Sequence, residues 1–120
     1  HPHVLQPAEI MTINGNKKFI VYSMGNCLGD QNGVERNSGV IVKLTFKKDL
    51  ISGKTELQSF DYTPTFSNSY MDKGKENFRI IPVPETIKRI KAGQDPYLHA
   101  DSLPLLEEIM QDCNEKMGNI

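Results

Sequence analysis

The sequence has no apolar run near the roughly 20 residues that a membrane-spanning helix needs, no excess of charge of either sign, and only two cysteines. Each shortage closes off a class. Fourteen Lys and Arg against 15 Asp and Glu leave a net charge of -1, whereas a dedicated nucleic-acid binder needs a basic face. The one short basic cluster, Lys88, Arg89 and Lys91, reads as a solvated helix face. Cys27 and Cys113 are far apart and in no C-x-x-C spacing, which excludes a zinc knuckle. Both read as free, mostly buried thiols. As a nucleophile Cys27 lacks a neighbouring base, because the one histidine away from the N-terminus, His99, lies in a separate polar stretch. Internal repeats and low-complexity segments are also missing. What remains, 120 residues with 38% apolar content, is one domain's worth of chain or part of a larger domain. A chain that opens on His1 is expected to be a fragment or a processed product.

The first two thirds read as β. Residues 9–13 and 17–23 flank Asn14-Gly15, a strong hairpin signal because both turn residues tolerate φ > 0. The run Phe19-Ile20-Val21-Tyr22 is apolar at every position, which predicts a strand covered on both faces. Residues 23–38 are rich in Gly, Asn and Asp and predict a long loop, and such loops often carry function. Residues 39–47 alternate, with Val40, Val42, Leu44 and Phe46 on one face. The Ser52-Gly53 turn leads back into a strand over 55–62, whose apolar alternation slips between Leu57 and Phe60, as a bulge would make it do. Residues 63–77 are polar and contain Pro64 and Gly74, which predicts an exposed, mobile loop. A last strand runs over 78–83, ended by Pro82 at a sheet edge or terminus. Pro84 then opens a short helix anchored by Ile87 and Ile90 and ended near Gly93. Asp101 or Ser102 caps a longer one, on which Leu106, Ile109, Met110, Cys113 and Met117 recur at helical spacing up to Gly118.

Chemistry concentrates near the N-terminus. His1 and His3 fall on one side of an extended backbone, and Pro2 between them restricts His1 as well as itself. Two imidazoles presented this way begin a divalent-metal site, although such a site needs about four to six ligands. The loop over 23–31 packs small, polar and acidic side chains behind an apolar strand. It reads either as a ligand-presenting loop or as an Asx-rich turn that satisfies its own backbone. The carboxylates and aromatics of the middle, Asp61, Tyr62, Tyr70, Asp72 and Glu76, read as a solvated face, with no carboxylate-pair spacing.

The string His1-Pro2-His3-Val4-Leu5-Gln6-Pro7, followed by Asn14-Gly15, by Ile20-Val21-Tyr22-Ser23-Met24-Gly25-Asn26 and by Asp30-Gln31, resembles the bacterial capsule synthesis family (CapA, of the poly-γ-glutamate synthesis type). Order and spacing agree over about residues 1–46, and Arg36 matches a polar position there. Met24, Cys27 and Gly29 depart from the family pattern. That family resembles the calcineurin-like metallophosphatases. The resemblance implies an α+β fold, with a mostly antiparallel sheet forming one layer of a sandwich and C-terminal helices packed on it. It divides the chain into a β-rich portion, 1–83, and a helical segment, 84–120. It also implies divalent metal ions in the full-length protein, with His1 and His3 as ligands. Asn26, Asp30 and Arg36 are then groups that orient those ligands or meet substrate. The other ligands would come from Asp, Asn and His motifs not contained in these 120 residues, so the chain alone is expected to lack hydrolase activity. Further implications are an extracytoplasmic place in the bacterial cell envelope and an anionic polymer or phosphoester as substrate. The expected partner is the rest of the same protein or, through exposed apolar surface, a second copy. Two other readings stand beside this one: a non-catalytic assembly or export subunit that handles an anionic polymer, and a β-rich interaction domain without metal.

Overall fold

Local turn chemistry decides where the chain reverses. A computed structural model describes residues 1–118. In it, Asn14 and Gly15 both take positive φ, 51° and 77°, and close a two-residue hairpin between β1 (Ala8–Ile13) and β2 (Asn16–Val21). Lys73 and Gly74, at φ 48° and 75°, close a second such hairpin between β4 (Thr55–Asp72) and β5 (Lys75–Pro82). Residues 63–77 are therefore ladder and turn, where polarity had pointed to a loop. Ser67 and Asn68 are buried there, and each finds a partner. Ser67 Oγ bonds the backbone N–H and C=O of Gly29, and Asn68 Oδ1 accepts from Arg79 Nε. A buried polar group with its hydrogen bond made carries little penalty, so composition alone misleads here.

The fold is α+β, with every strand pair antiparallel. One sheet has the order β1-β2 and the other β3-β4-β5, where β3 is Ser38–Lys48. The slip expected between Leu57 and Phe60 is present. Thr45 faces Ser59 and Phe46 faces Leu57, leaving Gln58 as the extra residue of a bulge. Phe19-Ile20-Val21-Tyr22, by contrast, does not form an interior strand. β2 pairs with β1 alone, residues 19–21 are half-buried, and Tyr22 is 60% exposed. The run is apolar because the Phe19 ring packs at a tilt against Phe60, centroids 5.3 Å apart, and both Phe19 and Val21 lean on a core cluster, contacts made by side chains rather than by a second ladder.

Two helices close the structure. α2 (Val83–Lys91) begins directly at the end of β5 with proline in its first turn. Proline's missing N–H costs nothing there. After a single 3-10 turn, α3 runs from Leu103 to Gly118. Its apolar stripe is shared between two clusters. Leu106 and Ile109 pack with Ile81, Val83, Ile87 and Ile90. Cys113 and Met117 pack with Leu5, Ala8 and Val40. One helix thus ties the N-terminal segment to the sheets and to α2. Arg89 does not belong to a solvated helix face, as sequence had suggested, because its guanidinium turns toward the buried carboxylate of Asp95.

The two thiols differ. Cys113 is buried, and that burial pushes its thiol up to about 11. Cys27 is exposed, which corrects the expectation of two buried thiols: it sits on the outer side of the 23–38 loop, where nothing packs over it. Ellman's reagent is expected to titrate one thiol per native chain, with Cys113 reacting only once the chain is unfolded in denaturant. Two equivalents released at one rate from the native chain would contradict the burial.

Candidate functional site

Three backbone segments meet beside the histidines. Leu5 bridges Met24, and Gly25 bridges Gly39 at the start of β3. Gln6 N–H donates to Ser23 C=O and Val40 N–H to Met24 C=O. The segment leaving His3 therefore lies against residues 23–25, and these lie against residues 38–40. The approach is close enough to demand glycine. A Cβ on Gly39 would stand 2.5 Å from the Asn26 carbonyl, and one on Gly25 would stand 2.6 Å from the Ser38 carbonyl. Gly25 also has φ +72°, a conformation that side chains disfavour.

This junction carries Asn26 to His3. His3 Nδ1 lies 3.1 Å from Asn26 Oδ1. The opposite end of the same amide is committed: Asn26 Nδ2 donates to Arg36 C=O at 2.7 Å and to Gln31 Oε1 at 3.3 Å. A carbonyl can only accept, so the amide's orientation is set and its Oδ1 must face His3. It follows that His3 Nδ1 carries a proton. In the neutral ring, Nε2 is then left with its lone pair, the state in which a histidine binds metal. His1 stands next to it, the two rings tilted by 45° with centroids 6.0 Å apart. Both histidines are exposed.

The rest of the loop is self-braced. Asn37 Nδ2 donates to the carbonyls of Gln31 and Gly33, and Asn37 Oδ1 accepts from Gln31 N–H. A single helical turn, α1 (Val34–Asn37), interrupts the loop, and Ser67 clasps Gly29 from β4. The Asx-rich-turn reading describes Asn37, which satisfies local backbone, while Asn26 reaches out to His3. Arg36 contributes through its carbonyl, and its guanidinium lies 3.4 Å from Asn32 C=O. That side chain also lines a cavity of about 410 Å³ with Val4, Asn32 and Glu108. Asp30 is exposed and meets neither histidine, and among the described residues it has no hydrogen bond or ion pair.

The donors present fit a metal centre in kind but not in number. Among the described residues, no group of three or more His, Cys, Asp or Glu side chains is placed to hold an ion. Two exposed imidazoles satisfy half of a tetrahedral set, so no catalytic step is assigned to this chain. Sequence reasoning did not find the role of Gln31, nor the buried network of Asp95 with Arg79 and Arg89. Gln31 stood in the Asp30-Gln31 pair without a task, and nothing in the sequence around Asp95 marks its burial. Comparison with family models, with curated proteins and with solved structures finds no match for this chain.

Proposed function

We infer that this chain supplies the histidine side of a metal-dependent, phosphoester-handling centre in a capsule-synthesis-type protein. His1 and His3 are the proposed ligands, and Asn26 orients His3. Ligands from outside these 120 residues would complete the set. With ions bound, such a centre activates water and stabilises charge on a phosphoryl group. Arg36, on the wall of the neighbouring cavity, is the group proposed to meet an anionic polymer or phosphoester. The order of motifs from His1 to Asp30-Gln31 supports the reading. The single observation that carries it is the locked Asn26 amide, whose oxygen can only accept from His3 Nδ1–H and so leaves Nε2 with its lone pair.

The test is imidazole ¹⁵N–¹H NMR of the chain during a zinc titration. His3 is expected as the Nδ1–H tautomer, with zinc shifting its Nε2 resonance. Asn26→Ala is expected to weaken zinc binding about tenfold, the usual effect of removing a group that orients a ligand. An Nε2–H tautomer for His3, or zinc affinity unchanged in Asn26→Ala, would sink the proposal.

A further inference from the structure

The β3–β4 hairpin continues past the body of the molecule as an arm, in a structure 58 Å along its longest axis. Its outer end is closed by a hydrogen-bonded turn. Asp49 Oδ1 accepts from Ile51 N–H at 2.8 Å and from Ser52 N–H at 2.9 Å. Gly53 N–H donates to Asp49 C=O, and Asp49 N–H to Lys54 C=O. Those bonds use backbone groups and the Asp49 carboxylate. The side chains of the two residues held at the tip, Leu50 and Ile51, contribute nothing to them. Both are large and apolar, and they are 89% and 100% exposed. Phe46, just behind, is 59% exposed. Polar side chains would serve this turn equally well, so two aliphatic residues displayed in water point to a surface that receives them.

The surroundings say which surface. The β1–β2 turn lies alongside the arm, where Gly15, Asn16 and Lys17 share a cleft with Glu56 and Leu57. Residues 11–18 and 43–61 together hold Lys17, Lys18, Lys43, Lys47, Lys48 and Lys54 against Asp49, Glu56 and Asp61. This end thus has six of the chain's 14 Lys and Arg but three of its 15 Asp and Glu, leaving eight against twelve elsewhere. The chain is near neutral overall and strongly polarised along its length. Of the acidic groups at this end, the Asp49 carboxylate is occupied by the turn and Glu56 by Lys54 at 2.7 Å.

We propose that the arm is a membrane-surface anchor: Leu50 and Ile51 enter the interface of an anionic phospholipid bilayer while the surrounding lysines meet its headgroups. Apolar insertion and lysine attraction to anionic lipid are the two independent contributions that give stable peripheral binding. The tip stands at the opposite end of β3 from the Asn26 junction, roughly 30 Å away at about 3.3 Å per residue. A failure here therefore leaves the zinc titration untouched, and the reverse also holds.

The experiment uses the whole chain with vesicles of phosphatidylcholine, alone or mixed with phosphatidylglycerol. Leu50→Trp provides a reporter, since the sequence has no tryptophan. Its emission is expected to shift to the blue only with the mixed vesicles. Cosedimentation with them is expected to weaken about tenfold in Leu50→Ser/Ile51→Ser and to fall as salt is raised. Three results would each overturn the proposal: unchanged Leu50→Trp emission at saturating mixed lipid, undiminished binding by the double serine variant, or equal binding to phosphatidylcholine alone. Tip-dependent self-association in the absence of lipid, without vesicle binding, would assign the arm to a second copy of the chain instead.

Discussion

Asp95→Ala is expected to destabilise the protein by about 3–5 kcal/mol, the usual consequence of removing one partner from a buried ion pair. A typical domain has only about 5–15 kcal/mol in total. The Asp95 side chain is fully buried, and every contact it makes is to a donor. Arg79 lies at 2.7 Å, Arg89 at 3.4 Å, and the backbone N–H groups of Tyr97 and Leu98 at 3.1 and 2.9 Å. Removing the carboxylate leaves Arg79, itself one-fifth exposed, without its anion in a pocket walled by the Tyr70 and Tyr97 rings. It also frees the turn after α2 from β5. Burial by itself raises the Asp95 carboxyl, but the Arg79 hydrogen bond and the two backbone N–H groups outweigh it and hold it at about 2, against an ordinary 3.8. The sign follows from that depression. The unfolded chain takes up the proton first as pH falls, so this contribution is fully present above about pH 4 and fades between about pH 4 and pH 2. The depression is worth about 2 kcal/mol. Urea unfolding of wild type and Asp95→Asn at pH 7, 4 and 2 reads it directly. The difference between them is expected to shrink toward pH 2, and a difference independent of pH would refute the assignment.

Gly39→Ala is expected to cost about 3 kcal/mol, a fall in Tm of roughly 10 °C for a domain of this size. The new methyl group would meet the Asn26 carbonyl at 2.5 Å and the Met24 carbonyl at 3.1 Å. Both are backbone atoms of the segment that carries Asn26 to His3, so no side chain can swing away to relieve the contact. The segment must move, and His3 is expected to lose its Nδ1 partner along with the stability. Gly29→Ala is the control in the same loop. A Cβ there meets nothing within 4 Å, and its effect is expected within about 0.5 kcal/mol. Equal Tm values for the two variants, or a His3 tautomer unaltered in Gly39→Ala, would show that the three-segment junction does not position the site.

Features that depend on near neighbours in sequence were legible. Asn14-Gly15 determined the first hairpin, and the slipped alternation between Leu57 and Phe60 marked the bulge at Gln58. The stripe Leu106, Ile109, Cys113 and Met117 identified the buried face of α3. Each rests on a period or a turn geometry that a few adjacent residues impose. The ladder over 63–77 was not legible, because Ser67 and Asn68 are compatible with burial only once Gly29 and Arg79 stand beside them. At the site, sequence marked His1, His3 and Asn26 as belonging together but could not say how. The tautomer of His3 depends on which end of the Asn26 amide faces it, and Arg36 C=O, ten residues further on, decides that.

By itself, then, the sequence marked the α+β class, the hairpin at Asn14-Gly15, the positions of α2 and α3 and the residues worth testing for chemistry. The hairpin and the two helices follow from backbone preferences and the spacing of apolar side chains within a dozen residues, whereas the α+β class rested on the strand pattern together with a family resemblance, and the residues worth testing on that resemblance. Tertiary structure alone decided that β2 stays in a two-stranded sheet, that Arg89 turns inward to Asp95, that Asp30 stays clear of the histidines and that Leu50 and Ile51 project into solvent. Each of those outcomes depends on what lies across space from the residue, and a partner distant in sequence leaves no periodic signal in the chain that it completes.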